Sequence, residues 1–331
     1  MESFQALRVH TVDKRAEARL ETIALNDLSA GEVVVRVHWS CLNFKDALAV
    51  SGKGRIMRRS PCVAGIDLAG VVVESSSADV QAGAAVVVTG CNIGEQLDGG
   101  FAQYARVPAS AVVPLPDGLS LRESMAIGTA GFTAALALKR MLDNHQRPHM
   151  GPIAITGPTG GVGSIGIDLF SRAGFKVAAI TGKPAQAGDY LKALGASEIV
   201  DRKSLDFGSK PLESAVWGGA VDNLGGDALA YLTRTVKPWG NIASIGLAAS
   251  PKLETTVVPF ILRGASLLGI WSVECPREWR LEIWKHLASD WKPRHLDRIV
   301  SRTIRLDEVT QAAEDLMAAS MTGRYLVDLR D

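Results

Sequence analysis

Glycines at 157, 160 and 163 carry the most distinctive chemistry in this sequence. They sit in Ile153-Ala154-Ile155-Thr156-Gly157-Pro158-Thr159-Gly160-Gly161-Val162-Gly163-Ser164, where an apolar strand pattern ends and a helical one begins. Gly157 permits a tight turn, Gly160 and Gly161 let backbone amides approach an anion, and Gly163 lets the helix lie close to the strand. The helix start adds unpaired N–H groups and a partial positive charge. A diphosphate is what such a turn grips. Strand, turn, helix and following strand stand in the required order, which a glycine-rich turn of no function would not require.

The next informative stretch ends the second strand: Ala179-Ile180-Thr181-Gly182-Lys183. Units that hold NAD place Asp or Glu about 20 residues past the fingerprint, on the ribose 2′-hydroxyl. Here there is no carboxylate to repel a 2′-phosphate. Thr181 offers a hydroxyl, Lys183 a charge, and Arg202 a second cation past the third strand. Lys183 taken alone reads as a solvated surface lysine; with the acid missing, NADPH is the expected cofactor.

These residues need elements to position them. The chain of 331 residues is long enough for two domains, and its composition, 47% hydrophobic and 21% charged, is that of a globular enzyme. A net charge of +1 without a basic stripe argues against nucleic acid as partner. No signal-peptide pattern or membrane-length apolar run is visible, and four scattered cysteines without a CxxC pair suit a reducing compartment. A cytoplasmic location and a small-molecule substrate are expected. The first part is β-rich, with strands at 31–39, 70–74 and 84–88 punctuated by Gly and Pro as in a small, partly open barrel. A helical pattern at 123–142, softened at Gly128 and Gly131, opens a regular β-α-β alternation. It continues to about Ser272, the mark of a parallel sheet covered on both faces. The tail reads as helices at 280–288 and 306–317, then a strand at 324–329.

Several further motifs resemble one family. They are Leu42-Asn43-Phe44-Lys45-Asp46-Ala47-Leu48, Ser51-Gly52-Lys53-Gly54, Pro61 with Gly65-Ile66-Asp67-Leu68-Ala69-Gly70, Ile127-Gly128-Thr129-Ala130-Gly131-Phe132-Thr133-Ala134, and Pro259-Phe260-Ile261-Leu262-Arg263. With the fingerprint, they are similar to the acrylyl-CoA reductase/YhdH-type quinone oxidoreductases of the medium-chain dehydrogenase/reductase superfamily, from about residue 6 to 329. The resemblance implies an α/β architecture: a doubly wound Rossmann domain at 127–272, and a GroES-like β-barrel catalytic domain from 1–126 and 273–331. It implies cofactor contacts at Phe44, Thr129, Thr159 to Val162, Thr181 to Lys183, Arg202, Leu247, Ile261, Ser272 and Arg324. It also implies a homodimer, paired through the strand 267–272. The chain departs from the family pattern at Phe44, where Tyr is frequent, and at Cys91-Asn92, where the family has Trp-Gly.

The activity implied is NADPH-dependent reduction of acryloyl-CoA to propanoyl-CoA, with hydride going to the β-carbon. Donors for the charge growing on the thioester oxygen would be the Asn43 amide, Lys45 and backbone N–H groups. Asp46, one helical turn on, would orient the loop; Asn43 and Asp46 would serve equally as a helix cap. Lys53, Arg55, Arg58 and Arg59 form a basic run suited to CoA phosphates or to a solvated loop face. Zinc-dependent relatives use Cys and His where this chain has Asn43 and Ile66, and the four-cysteine lobe is missing, so no metal is expected. Cys41 and Cys62 read as buried small apolar residues. Two other readings are a quinone reductase on the same fold and a non-catalytic NADPH-binding protein.

Overall fold

The computed structural model describes residues 3–13 and 15–330. The N-terminal part runs β1 (Phe4–Val12), β2 (Arg15–Ile23), β3 (Val33–Cys41), α1 (Phe44–Val50), β4 (Cys62–Val63), β5 (Asp67–Ser75), β6 (Ala85–Thr89), β7 (Tyr104–Val107) and β8 (Val113–Pro114). The middle runs α2 (Leu121–Asp143), β9 (Ile153–Thr156), α3 (Gly161–Arg172), β10 (Val177–Thr181), α4 (Pro184–Ala193), β11 (Glu198–Asp201), β12 (Gly219–Asp222), α5 (Gly226–Thr235), β13 (Asn241–Ser244), α6 (Val258–Arg263) and β14 (Ser266–Gly269). The tail holds α7 (Arg277–Leu287), α8 (Leu296–Ile299), β15 (Val300–Arg305), α9 (Val309–Met317) and β16 (Arg324–Asp328).

Two compact units result. One comprises the chain up to Thr129, Val273–Ala288 and the chain from Leu296; the other comprises Ala130–Ser272 with Ser289–His295. The expected boundaries at 126/127 and 272/273 thus shift by three residues at the first, and a short tail segment joins the middle unit.

In the first unit Val33, Val35 and Val37 alternate into a core shared with Leu68, Val72, Val86 and Val88. β3 pairs antiparallel with β5, and β5 with β6. On its other edge β3 is flanked first by β7 and then by β16, whose Leu326 lies opposite Cys41. That pairing brings the start of β16 to the end of β3, beside the turn into α1. β1 and β2 form a hairpin that the sequence reading left unassigned, and β15 escaped it too. Both β2 and β15 lie at sheet edges. β2 alternates Ala16, Ala18 and Leu20 with charged residues but is largely solvent-facing, and in β15 Ile304 alone is buried, so neither carries a strong apolar face.

The second unit is a six-stranded parallel sheet in the order β11-β10-β9-β12-β13-β14. All four residues of β9 and all five of β10 are buried, the pattern of strands covered on both faces. The order doubles back between β9 and β12, which makes that boundary the topological switch point. β12 stops at Asp222, whose Oδ2 accepts from Gly225 N–H and turns the chain. The strand expected at 267–272 is shorter, Ser266–Gly269, and forms the sheet edge.

Candidate functional site

At the switch point the fingerprint takes the geometry its glycines imply. Gly157 has φ +57°, and a Cβ on Gly163 would lie 2.3 Å from the Gly157 carbonyl oxygen, so no side chain fits at 163. Gly160 has open space, with its nearest neighbour at 3.6 Å. It precedes the twelve residues of α3, whose first N–H groups have no intrahelical partner. Thr159, Gly161 and Val162 are half-buried around that opening. The cradle is empty of side chains and rimmed by donors, which fits a diphosphate.

At the end of β10, Thr181 is buried and its hydroxyl accepts from Lys183 N–H at 3.1 Å. Lys183 and Arg202 are exposed. A Cβ on Gly182 would sit 3.3 Å from an Arg202 guanidinium nitrogen, so the cation lies against the glycine where an NAD-selective carboxylate would project. Leu247 and Ile261 present large exposed apolar surfaces, and Ser272 is half-buried. A cavity of about 440 Å³ adjoins Arg202 and is lined further by Leu205, Phe207, Leu224, Gly225 and Ser250.

The first unit holds a buried polar cluster where β3, α1, β5, the middle of α2 and β16 converge. Asn43 precedes α1, and its N–H donates to Asp46 Oδ2 at 2.9 Å. The Asn43 Nδ2 donates to Asp67 Oδ2 at 2.9 Å and to Asp46 Oδ2 at 3.1 Å, while Oδ1 accepts from Arg324 Nη1 at 2.9 Å. Asp46 Oδ1 accepts from Ile66 N–H. Asp67 further accepts from the Thr129 N–H, the Thr129 hydroxyl and the Cys41 thiol. Arg324 Nη2 stands 2.7 Å from Cys41 Sγ, and Nε donates to Ala126 O. Burial, and next the neighbouring Asp67, push the Asp46 carboxyl up to about 7; burial holds the Cys41 thiol well above its usual range.

The helix that closes this cluster bends to reach it. α2 is broken at Gly128, with φ +51° and ψ −162°, and a Cβ there would lie 2.4 Å from Arg324 Nη2 and 2.8 Å from Asp67 Oδ2. The sequence marked Gly128 as a soft break; its cause is this close approach.

Three site expectations are corrected by these contacts. Both hydrogens of the Asn43 amide are directed to carboxylates, so Asn43 cannot also donate to a substrate oxygen. The helix-cap reading and the network reading are both true of it. Arg324, only 2% exposed, directs its guanidinium into the protein rather than toward a cofactor. The Thr129 hydroxyl also donates to Asp67, within the same network. Arg59 pairs at 2.8 Å with Asp98, a carboxylate 1% exposed that also accepts from Val63 N–H, and so belongs to the fold rather than to a phosphate site. Lys53, Arg55 and Arg58 remain exposed. Lys45 is ion-paired with Glu95 at 2.7 Å, and Phe44 is 40% exposed. Cys62 is buried as expected, but Cys41 sits among polar partners rather than apolar ones. Asp67 was the residue sequence reasoning passed over. Its signal was a carboxylate opening an otherwise apolar run, Asp67-Leu68-Ala69-Gly70-Val71-Val72-Val73.

Comparison with known proteins gives the same two halves. Residues 29–117 match the alcohol dehydrogenase GroES-like domain and 161–289 the zinc-binding dehydrogenase family. Acrylyl-CoA reductase AcuI of Ruegeria pomeroyi is 42% identical over 98% of this chain and 99% of its own. YhfP of Bacillus subtilis, provisionally named a quinone oxidoreductase, is 42% identical over 98% and 99%. Its solved structure with NAD bound superposes with a TM-score of 0.95. YhdH of Escherichia coli with bound NADPH also gives 0.95, at 40% identity over 98% of this chain and 100% of that one. At this identity, over nearly the whole of each chain, the protein belongs to the acrylyl-CoA reductase/YhdH-type quinone oxidoreductase family of medium-chain dehydrogenases/reductases.

Proposed function

We propose that this oxidoreductase reduces the activated double bond of a short enoyl-CoA with NADPH, acryloyl-CoA to propanoyl-CoA being the reaction. The observation that carries the reading is Arg202 lying against Gly182, a cation where a carboxylate would select NAD, beside a turn built for a diphosphate. The bound cofactor supplies hydride to an electron-poor carbon. The chain's own residues bind and orient: Gly157 to Gly163 take the diphosphate, and Thr181, Lys183 and Arg202 the 2′-phosphate. Leu247, Ile261 and Ser272 offer surface to the rest. The Asn43–Asp46–Asp67–Arg324 network fixes the turn that carries Phe44 and Lys45. Lys45, ion-paired with Glu95, is a source of charge, and the proton for the α-carbon comes from Lys45 or from water. The exposed Lys53, Arg55 and Arg58 suit CoA phosphates.

The donor set in the polar cluster does not suit zinc. A guanidinium stands against the thiol, burial holds that thiol well above its usual range, and the two carboxylates already accept from Asn43, Ile66, Thr129 and Cys41. Among the described residues no three His, Cys, Asp or Glu side chains converge as a metal set would. The reaction is therefore read as metal-independent.

A quinone as acceptor is the second reading, favoured by the name given to YhfP. Stopped-flow oxidation of NADPH and of NADH, with acryloyl-CoA and a benzoquinone in parallel, tests both. The expected outcome is turnover of acryloyl-CoA with NADPH preferred. Turnover of the quinone alone gives the second reading, and a strong preference for NADH removes the assigned role of Arg202. We also propose a cytoplasmic homodimer. Its support is four scattered cysteines with no CxxC pair and a sheet edge at β14 flanked in sequence by exposed Trp271 and Leu262.

A further inference from the structure

We infer that Asn223 is a cofactor-binding side chain, its Oδ1 accepting a hydrogen bond from a hydroxyl of the ribose on the nicotinamide side. The inference rests on the NADPH reading above and extends it to a residue that neither motif nor resemblance singled out.

Asn223 is the first residue past β12, and its backbone N–H donates to Thr156 Oγ1 at 2.9 Å. Its Nδ2 donates to Thr156 O at 2.7 Å. That contact fixes which way the amide faces, because the reversed orientation would set Oδ1 against a carbonyl oxygen. Thr156 is held in turn: its hydroxyl donates to Asp222 Oδ1 at 2.7 Å, and Asp222 Oδ2 accepts from Gly225 N–H at 2.7 Å. The side chain is therefore locked, and its remaining polar atom, Oδ1, is buried without a hydrogen-bond partner. Native structures rarely leave such an atom unsatisfied, and one that persists points to a missing partner.

Its surroundings say which partner. A Cβ built on Gly157 would lie 3.4 Å from the Asn223 Cβ, so the side chain borders the diphosphate turn. β9 and β12 are neighbours at the switch point, with β10 and β11 to one side and β13 and β14 to the other. A dinucleotide crosses the sheet in that crevice. With its 2′-phosphate beyond β10 at Lys183 and Arg202, its second half runs toward β12. The diphosphate oxygens only accept hydrogen bonds and cannot satisfy an orphaned acceptor. The ribose hydroxyls donate, and the one on the β12 side comes next along the molecule.

Calorimetric titration of the full chain with NADPH and with 2′,5′-ADP, which keeps the adenosine and its phosphates but lacks the second ribose, tests this. Asn223→Leu is expected to weaken NADPH roughly five- to thirty-fold, the worth of one buried hydrogen bond, and to leave 2′,5′-ADP binding as it is. Asn223→Ala, sterically milder, should show the same split should the leucine variant fail to fold. Unaltered NADPH affinity in the variants overturns the inference. An equal loss for both ligands does so too, since it would mean a distorted turn rather than a missing contact. A wild-type chain that binds neither ligand overturns the NADPH reading itself, and a chain that binds both while the variants show no split overturns the inference alone.

Discussion

Asp46 illustrates how much a single residue can hold. Its carboxylate accepts hydrogen bonds from Asn43 and Ile66, yet burial and the nearby Asp67 raise its pKa from 3.8 to about 7. The folded protein thus binds a proton that the unfolded chain has released. This group's stability contribution is complete below about pH 4 and is lost as pH rises toward 7. In denaturant titrations from pH 4 to 8, wild type should lose stability relative to Asp46→Asn up to about pH 7, after which the difference should level off. A difference that stays constant across this range would mean that Asp46 is ionised throughout. Arg324 is a buried cation whose hydrogen bonds go to Asn43 Oδ1, Cys41 Sγ and Ala126 O. Arg324→Met leaves those buried acceptors without their donor and should cost about 1–3 kcal/mol in the same titration.

At the scale of elements, two helices are shaped by glycine contacts. α2 breaks at Gly128 because backbone conformation and the nearby guanidinium both forbid a side chain. Gly128→Ala should destabilise by about 1–3 kcal/mol from backbone strain, read as a lower unfolding midpoint. Displacement of Arg324 should lower turnover alongside. α3 starts where Gly163 meets the Gly157 carbonyl, so Gly163→Val must push the helix from the strand and open the cradle. The expected result is NADPH affinity weakened at least about tenfold, with calorimetry as the check. The glycines themselves were visible in the sequence. Only at Gly128 did their partners, Arg324 and Asp67, come from positions that no local pattern connects.

At the scale of the whole molecule, β14 ends the parallel sheet and is paired on one side only. An edge of this kind, beside Trp271 and Leu262, both at 68% exposure, invites a second copy. Leu267→Lys with Trp271→Asp should convert the proposed dimer to a monomer in sedimentation velocity. If the sedimentation coefficient is the same for variant and parent, the interface lies elsewhere.

The sequence by itself determined what depends on neighbours in the chain. The glycine turn after β9, the missing acid after β10 and the buried strands β9 and β10 each follow from local spacing and apolar pattern. The near-unbroken resemblance added the two-domain architecture. Tertiary structure alone decided what depends on residues far apart. It directed both Asn43 hydrogens to Asp67 and Asp46, paired Arg59 with Asp98, turned Arg324 inward and left Asn223 with an unanswered acceptor. A polar side chain's role is set by which donors and acceptors surround it, and in a folded chain those come from whichever strands the sheet order makes adjacent.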